Sequence, residues 1–240
     1  MDIYKEIRRV IEDYENNYSS VNRNITEEIQ LNHFIDHTQL KAQATPEQII
    51  NLCKEAKDYD FEAVCINSSY LPQVNKELEG TDIKKAIVVG FPLGAVSTSV
   101  KTYETRWGLE HGADEFDVVI NIGHLKAKEY EYVLKELREV VKSAGGKPVK
   151  VIIETALLNI EEKIAACVLA RLSEATFVKT STGFSTGGAT VEDVSLMKFS
   201  SGGLKVKASG GIRTRKDALS MIKAGADRIG TSSGIKIVAE

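Results

Sequence analysis

Disulfide chemistry is the first thing this sequence lacks material for. Its three cysteines, Cys53, Cys65 and Cys167, are odd in number and widely scattered, which argues against a disulfide framework and fits a reducing cytoplasm. No stretch approaches the roughly 18 consecutive apolar residues that a membrane span requires. The N-terminus has no apolar h-region, so it does not read as a signal peptide. Basic charge is not in excess either: the formal net charge is -3 with no long basic run. That excludes a sequence-independent grip on nucleic acid or on an anionic membrane, so any anion must be bound locally. Histidine is scarce at four residues. His33 and His37 would lie about 13 Å apart within a strand, and His111 and His124 have no cysteine or carboxylate constellation around them, so no metal site is expected.

What is present is ample apolar material, 42% of 240 residues, arranged in short β-branched runs. They are "HFIDH" around Ile35, "AVCIN", "AIVVGF", "FDVVIN", "VKVIIETALL", "TFVKT", "LKVKAS" and "DRIGTSS", eight in all. Helical stretches alternate with them, several with start and stop signals. "TPEQIINLCKEAKDY" has Thr45 as N-cap and Pro46 at the first helical position, and others end at Gly112, Gly145 and Gly225. Continuous apolar strands alternating with helices signify a parallel sheet covered on its outer face. Eight such units without a linker fit a single-domain α/β fold, the closed (β/α)₈ or TIM barrel. An open doubly wound sheet would want a glycine-rich turn after its first strand, and "HTQLKAQATP" stands there instead. The barrel is expected over 31–240. Within residues 1–30, apolar Ile3, Ile7, Val10, Ile11 and Tyr14 have helical spacing, which predicts an extra helix lying as a lid across the barrel floor.

Two strand lysines need an explanation. Alternation puts Phe177 and Lys179 on one face of strand six, and Lys205 and Lys207 on one face of strand seven. Lys205, nearer its strand's start, is expected to snorkel. Lys179 and Lys207 precede glycine-bearing loops at strand C-terminal ends, where barrel active sites are built. Like charges that close disfavour each other. An ordinary lysine is neutral in only about one molecule in 2,500 at pH 7; lowering its pKa to about 7 or 8 raises that fraction a few hundredfold and makes an amine able to attack a carbonyl. Schiff-base chemistry follows, although the spacing does not say which lysine is the nucleophile.

Asp117 shares an interior face with Glu115, Val119 and Asn121, and is placed to shuttle protons. Asp36 is expected as a second carboxylate at the mouth of strand one. Cys65 either packs as a small apolar residue or lines the pocket. Glu154 is either catalytic or paired with Lys150 or Lys179. After strand seven comes "ASGGIRTRKDA" and after strand eight "GTSSG"; glycine amides, hydroxyls and helix N-termini together suit a phosphate. Arg213 is either an added clamp or solvated.

These pieces resemble the deoxyribose-phosphate aldolase family, class I aldolases that form a lysine Schiff base. The resemblance runs from "IDHTQL" to "RIGTSSG" and includes "DVVINIGHLK", "KVIIETALL", "FVKTSTGF", "GGATVEDVSLMK" and "VKASGGIRT". It implies reversible cleavage of 2-deoxy-D-ribose 5-phosphate, within deoxynucleoside catabolism, with no metal or organic cofactor. Lys179 is then the Schiff-base lysine, Lys207 its neighbour that assists proton transfer, and Asp117 the proton relay. Gly183, Gly210, Gly211, Gly230, Ser232 and Ser233 are the phosphate site. Small-molecule phosphosugar and aldehyde partners and a homodimer are implied too. Rival readings keep the barrel but make it a non-covalent phosphosugar isomerase or a non-catalytic sugar-phosphate sensor. The sequence departs from the family pattern at Phe184, where some members have a lysine, and at Ser68, where proline is common. It ends at Glu240 without the longer tail whose tyrosine enters the site in some members, so either slower protonation of the enamine or another group in the tyrosine's place is expected.

Overall fold

The structure, a computed structural model, describes residues 2–26 and 28–240. Met1 and Glu27, both in the N-terminal segment, lie outside the described residues. Eight strands form a closed barrel: β1 Ile35–Gln39, β2 Ala63–Ile66, β3 Lys84–Val89, β4 Glu115–Val119, β5 Val149–Ile152, β6 Phe177–Lys179, β7 Lys205–Ser209 and β8 Arg228–Thr231. All neighbours are parallel, and β8 closes on β1 through Ile35 opposite Ile229 and Asp36 opposite Gly230. The helices are α1 Ile3–Asn17, α2 Pro46–Asp58, α3 Leu71–Glu77, α4 Thr98–Glu110 and α5 Ile122–Lys126. They continue with α6 Tyr130–Ser143, α7 Ile160–Leu172, α8 Val191–Ser200, α9 Arg215–Lys223 and α10 Gly234–Ala239.

Local chemistry starts these helices where the sequence has capping residues. Thr45 and Gln48 form a capping box on α2, Asn159 and Glu162 on α7, and Thr214 and Asp217 on α9. Each reciprocal pair satisfies two backbone donors that the first turn would leave orphaned.

Strand alternation then divides the apolar residues between two cores. Val64, Ile87, Val118, Val151, Val178, Val206 and Ile229 face outward and are buried against the helices, each worth roughly 1.5–3 kcal/mol of burial. Inside the barrel lies a much smaller apolar cluster of Leu40, Cys65, Ala86 and Val88 with Phe91 against it. Around it the interior carries Asp36, Glu115, Asp117, Lys150, Lys179, Lys207 and Arg228, all buried.

The expected lid on the barrel floor is corrected. Helix α1 lies across the outer surfaces of α6, α7 and α8. Ile7 and Val10 are buried there, Glu6 meets Arg171 at 2.6 Å, and Tyr14 and Tyr18 pack edge-on against Phe199. The floor is filled instead by the barrel's own side chains: Arg228 reaches Glu62 and Glu115, and Phe177 lies between Lys150 and Lys205. A one-sided apolar stripe needs apolar surface, which the helix layer offers and the floor does not.

Candidate active site

Strand register assembles the centre of the barrel. Asp117 on β4 stands opposite Lys150 on β5, and Lys179 on β6 stands opposite Lys207 on β7. The side chains of all four turn inward and converge. Asp117 Oδ2 accepts from Lys179 Nζ and from Lys207 Nζ, each at 2.8 Å. Its Oδ1 accepts from Lys150 Nζ at 2.8 Å. Lys150 also meets Glu115 at 2.5 Å, Lys207 meets Asp36, and Arg228 Nε donates to Asp36 at 2.6 Å. Three carboxylates and four basic side chains thus share one buried layer.

Burial alone would raise the Asp117 carboxyl and lower the lysines. An ion pair near 3 Å at an effective dielectric of 20 is worth roughly 5 kcal/mol; three such partners outweigh a desolvation penalty of several kcal/mol. Lys150, Lys179 and Lys207 accordingly hold Asp117 well below the usual carboxylate range. Burial opposes the charge on Lys207, but Asp117 and Asp36 outweigh it and push its pKa up. Lys150 is likewise raised, chiefly by Asp117 against burial. The expectation that amine repulsion governs this pair is therefore corrected for Lys207: the carboxylates between the amines dominate.

Above this layer opens a cavity of about 340 Å³, within the size range of small-ligand sites. Of the three interior lysines on β5, β6 and β7 that bond Asp117, Lys179 lines the cavity while Lys150 and Lys207 lie beneath it. Gly183, Gly210, Gly211, Gly230, Ser232 and Ser233 line it too, with Arg213. Gly183, Gly210 and Gly211 have φ of +84°, +85° and +81°, all left-handed, a conformation that disfavours a side chain. A Cβ on Gly183 or Gly211 would meet no atom within 4 Å, so open space adjoins those backbones. Gly230 has a different reason: a Cβ there would come 3.0 Å from Lys207 Cε and from Ser209 Cβ.

The two other proposed pocket residues are placed elsewhere. Asp36 is not at a strand mouth but fully buried below the cavity, between Arg228 and Lys207. Cys65 is also fully buried, with Sγ 3.9 Å from Asp117 Oδ2; burial, then Asp117, pushes its thiol pKa up. Neither lines the cavity. Glu154 pairs with neither lysine and instead accepts from Thr182 N at 3.2 Å. His37 faces the helix layer and meets Glu55 at 2.5 Å, while His33 meets Asp60 at 3.5 Å. Among the described residues, no three His, Cys, Asp or Glu side chains form a cluster able to hold a metal ion. Sequence reasoning missed Arg228, weighed Lys150 only as a partner for Glu154, and put Glu115 on the interior face without giving it a role. For Lys150 the signal was available, since alternation along "VKVI" sets it on the face opposite the apolar Val149 and Val151.

A layer of this kind, with a cavity-lining lysine and a carboxylate in contact, can form and hydrolyse an imine. Comparison with known proteins agrees. The family model described as "DeoC/LacD family aldolase" matches residues 31–240. The deoxyribose-phosphate aldolase of Thermotoga maritima is 60% identical over 205 residues, covering 85% of this chain and 83% of that protein. That of Clostridium tetani is 56% identical over 214 residues, covering 88% and 99%. Among solved structures, the tetrameric deoxyribose phosphate aldolase of Aeropyrum pernix superposes with a TM-score of 0.83 at 33% identity, covering 100% and 97%. With its barrel, its lysine-bearing cavity and these relatives, the chain belongs to the DeoC/LacD family of aldolases and is a class I carbon–carbon lyase.

Proposed function

We propose that the protein cleaves 2-deoxy-D-ribose 5-phosphate reversibly to D-glyceraldehyde 3-phosphate and acetaldehyde through a Schiff base on Lys179. The observation that carries this reading is that Lys179 lines the cavity while its Nζ lies 2.8 Å from the buried carboxylate of Asp117. The relatives named above supply the substrate.

The phosphate would rest on Gly183, Gly210, Gly211, Gly230, Ser232 and Ser233, with the open-chain aldehyde directed inward. Lys179 Nζ attacks the carbonyl carbon, and the carbinolamine loses water to give an iminium. Asp117 takes up and returns protons in these steps, directly or through a water, and Lys207 assists as its charged neighbour. The iminium draws electrons from the C2–C3 bond as the C3 hydroxyl gives up its proton. Glyceraldehyde 3-phosphate leaves, and the remaining enamine is protonated at C2 and hydrolysed. The iminium itself is the electron sink. A homodimer in the cytoplasm, serving deoxynucleoside catabolism, belongs to the same reading; among the described residues, no helix is long and apolar enough to cross a membrane.

Incubation with acetaldehyde and borohydride, followed by peptide mass mapping, tests it. The expected product is reductively ethylated Lys179, absent in Lys179→Leu. An unmodified Lys179 peptide from active-folded protein would end the Schiff-base reading and leave a phosphosugar isomerase or a sugar-phosphate sensor in its place.

A further inference from the structure

We infer that Glu154 is the positioning residue of the loop that follows β6, setting the phosphate-facing stretch 180–184 without touching substrate. The proposal rests on the phosphate half of the function above.

Glu154 follows β5 with φ 56° and ψ 66°, a left-handed conformation in a residue that carries a side chain. Such backbones persist only where the surroundings over-determine them. Here the side chain is 2% exposed, and its Oε2 accepts from both the backbone N–H and the hydroxyl of Thr182. Thr182 Oγ1 in turn accepts from Phe184 N at 3.0 Å. One carboxylate therefore holds both ends of the turn at Gly183. Thr155 N donates to Thr180 O at 2.9 Å, so the residue after Glu154 grips the same loop. On its other side the loop is held by the end of β7 and the residue after it: Ala189 N donates to Ser209 O at 3.1 Å and to Gly210 O at 3.0 Å, and a Cβ on Gly188 would lie 2.3 Å from Gly210 O. Between these two walls Gly183 has open space beside it. Thr182, Gly183 and Phe184 line the cavity; Glu154 does not. A side chain that bonds only the loop, from a backbone otherwise disfavoured, acts through the loop's geometry.

The variants are Glu154→Gln, which keeps an acceptor oxygen for Thr182, and Glu154→Gly, which removes the acceptor while suiting the left-handed backbone. Titration calorimetry with inorganic phosphate is expected to give E154Q within about threefold of the starting protein, and E154G weaker by about tenfold or more, the scale of a lost charge-assisted hydrogen bond. With 2-deoxyribose 5-phosphate, KM should rise in E154G more than kcat falls, while kcat/KM for unphosphorylated 2-deoxyribose stays level. Ile7→Ala, far from the cavity on α1, should lose thermal stability and keep its phosphate affinity. Unchanged phosphate affinity in E154G, whatever its Tm, overturns the proposal, as does a starting protein that binds no phosphate. If phosphate behaves as expected but acetaldehyde leaves Lys179 unmodified, Glu154 keeps its role and the aldolase chemistry falls.

Discussion

Asp117 concentrates the chemistry of the barrel in two oxygen atoms. Three ammonium donors bond it at 2.8 Å, so beyond the proton relay proposed for it, it is the counter-charge that lets three lysines coexist in one buried layer. Asp117→Asn keeps the shape and removes that charge. Loss of a positioned proton carrier should lower kcat by about 10²–10⁴-fold, and the uncompensated lysines should lower stability by about 3–5 kcal/mol. Measured together by steady-state kinetics and urea unfolding, the two effects separate the roles. A variant that loses activity at full stability would show that Lys150 and Lys207 do not depend on Asp117 for their charge.

At the scale of elements, the apolar stripe on α1 makes a definite claim about what that helix is for. Ile7 and Val10 are buried against α6, α7 and α8, and nothing on α1 enters the cavity. Ile7→Ala should therefore cost about 2–5 kcal/mol, the usual range for a buried aliphatic truncation, with Lys179 still trapped by borohydride at the normal rate. A trapping defect matching the stability loss would tie α1 to the site. The helix itself was legible from spacing, but its seat was not, because an amphipathic pattern names an apolar face and not the surface it meets. The same limit runs through the barrel. The eight apolar runs correspond to the eight strands, and alternation placed Lys179, Lys207 and Asp117 inside. Lys150 was weighed only as a partner for Glu154, because nothing in "VKVI" itself shows that it falls opposite Asp117. Asp36 was read one layer too high for a different reason. Height along the barrel depends on stagger between strands, visible only once Asp36 is paired with Gly230 on one side and Ala63 on the other.

For the whole molecule, the consequence is that Asp36 and Lys207 hold their charge over a wide pH range. Burial would raise the Asp36 pKa, yet Arg228, then Lys207 and Lys150, bring it down from 3.8 to about 2. A depressed carboxylate stabilises the fold above its unfolded pKa and loses that contribution as pH falls through the folded value. A shift of this size corresponds to about 2 kcal/mol, present at pH 7 and eroded between about 4 and 2. Lys207 has the opposite sign: its raised pKa makes a contribution that is complete below 10.5 and lost only as pH climbs past its folded value. Between those limits neither group titrates. Asp36→Asn should accordingly be less stable than the parent by a constant margin from pH 7 to about 5, and that margin should narrow as pH falls from about 4 toward 2. Urea midpoints taken at intervals across this range measure it. A margin that already shrinks between pH 7 and 5 would mean that Asp36 takes up its proton near neutrality, and that Arg228 and Lys207 do not together outweigh the cost of its burial.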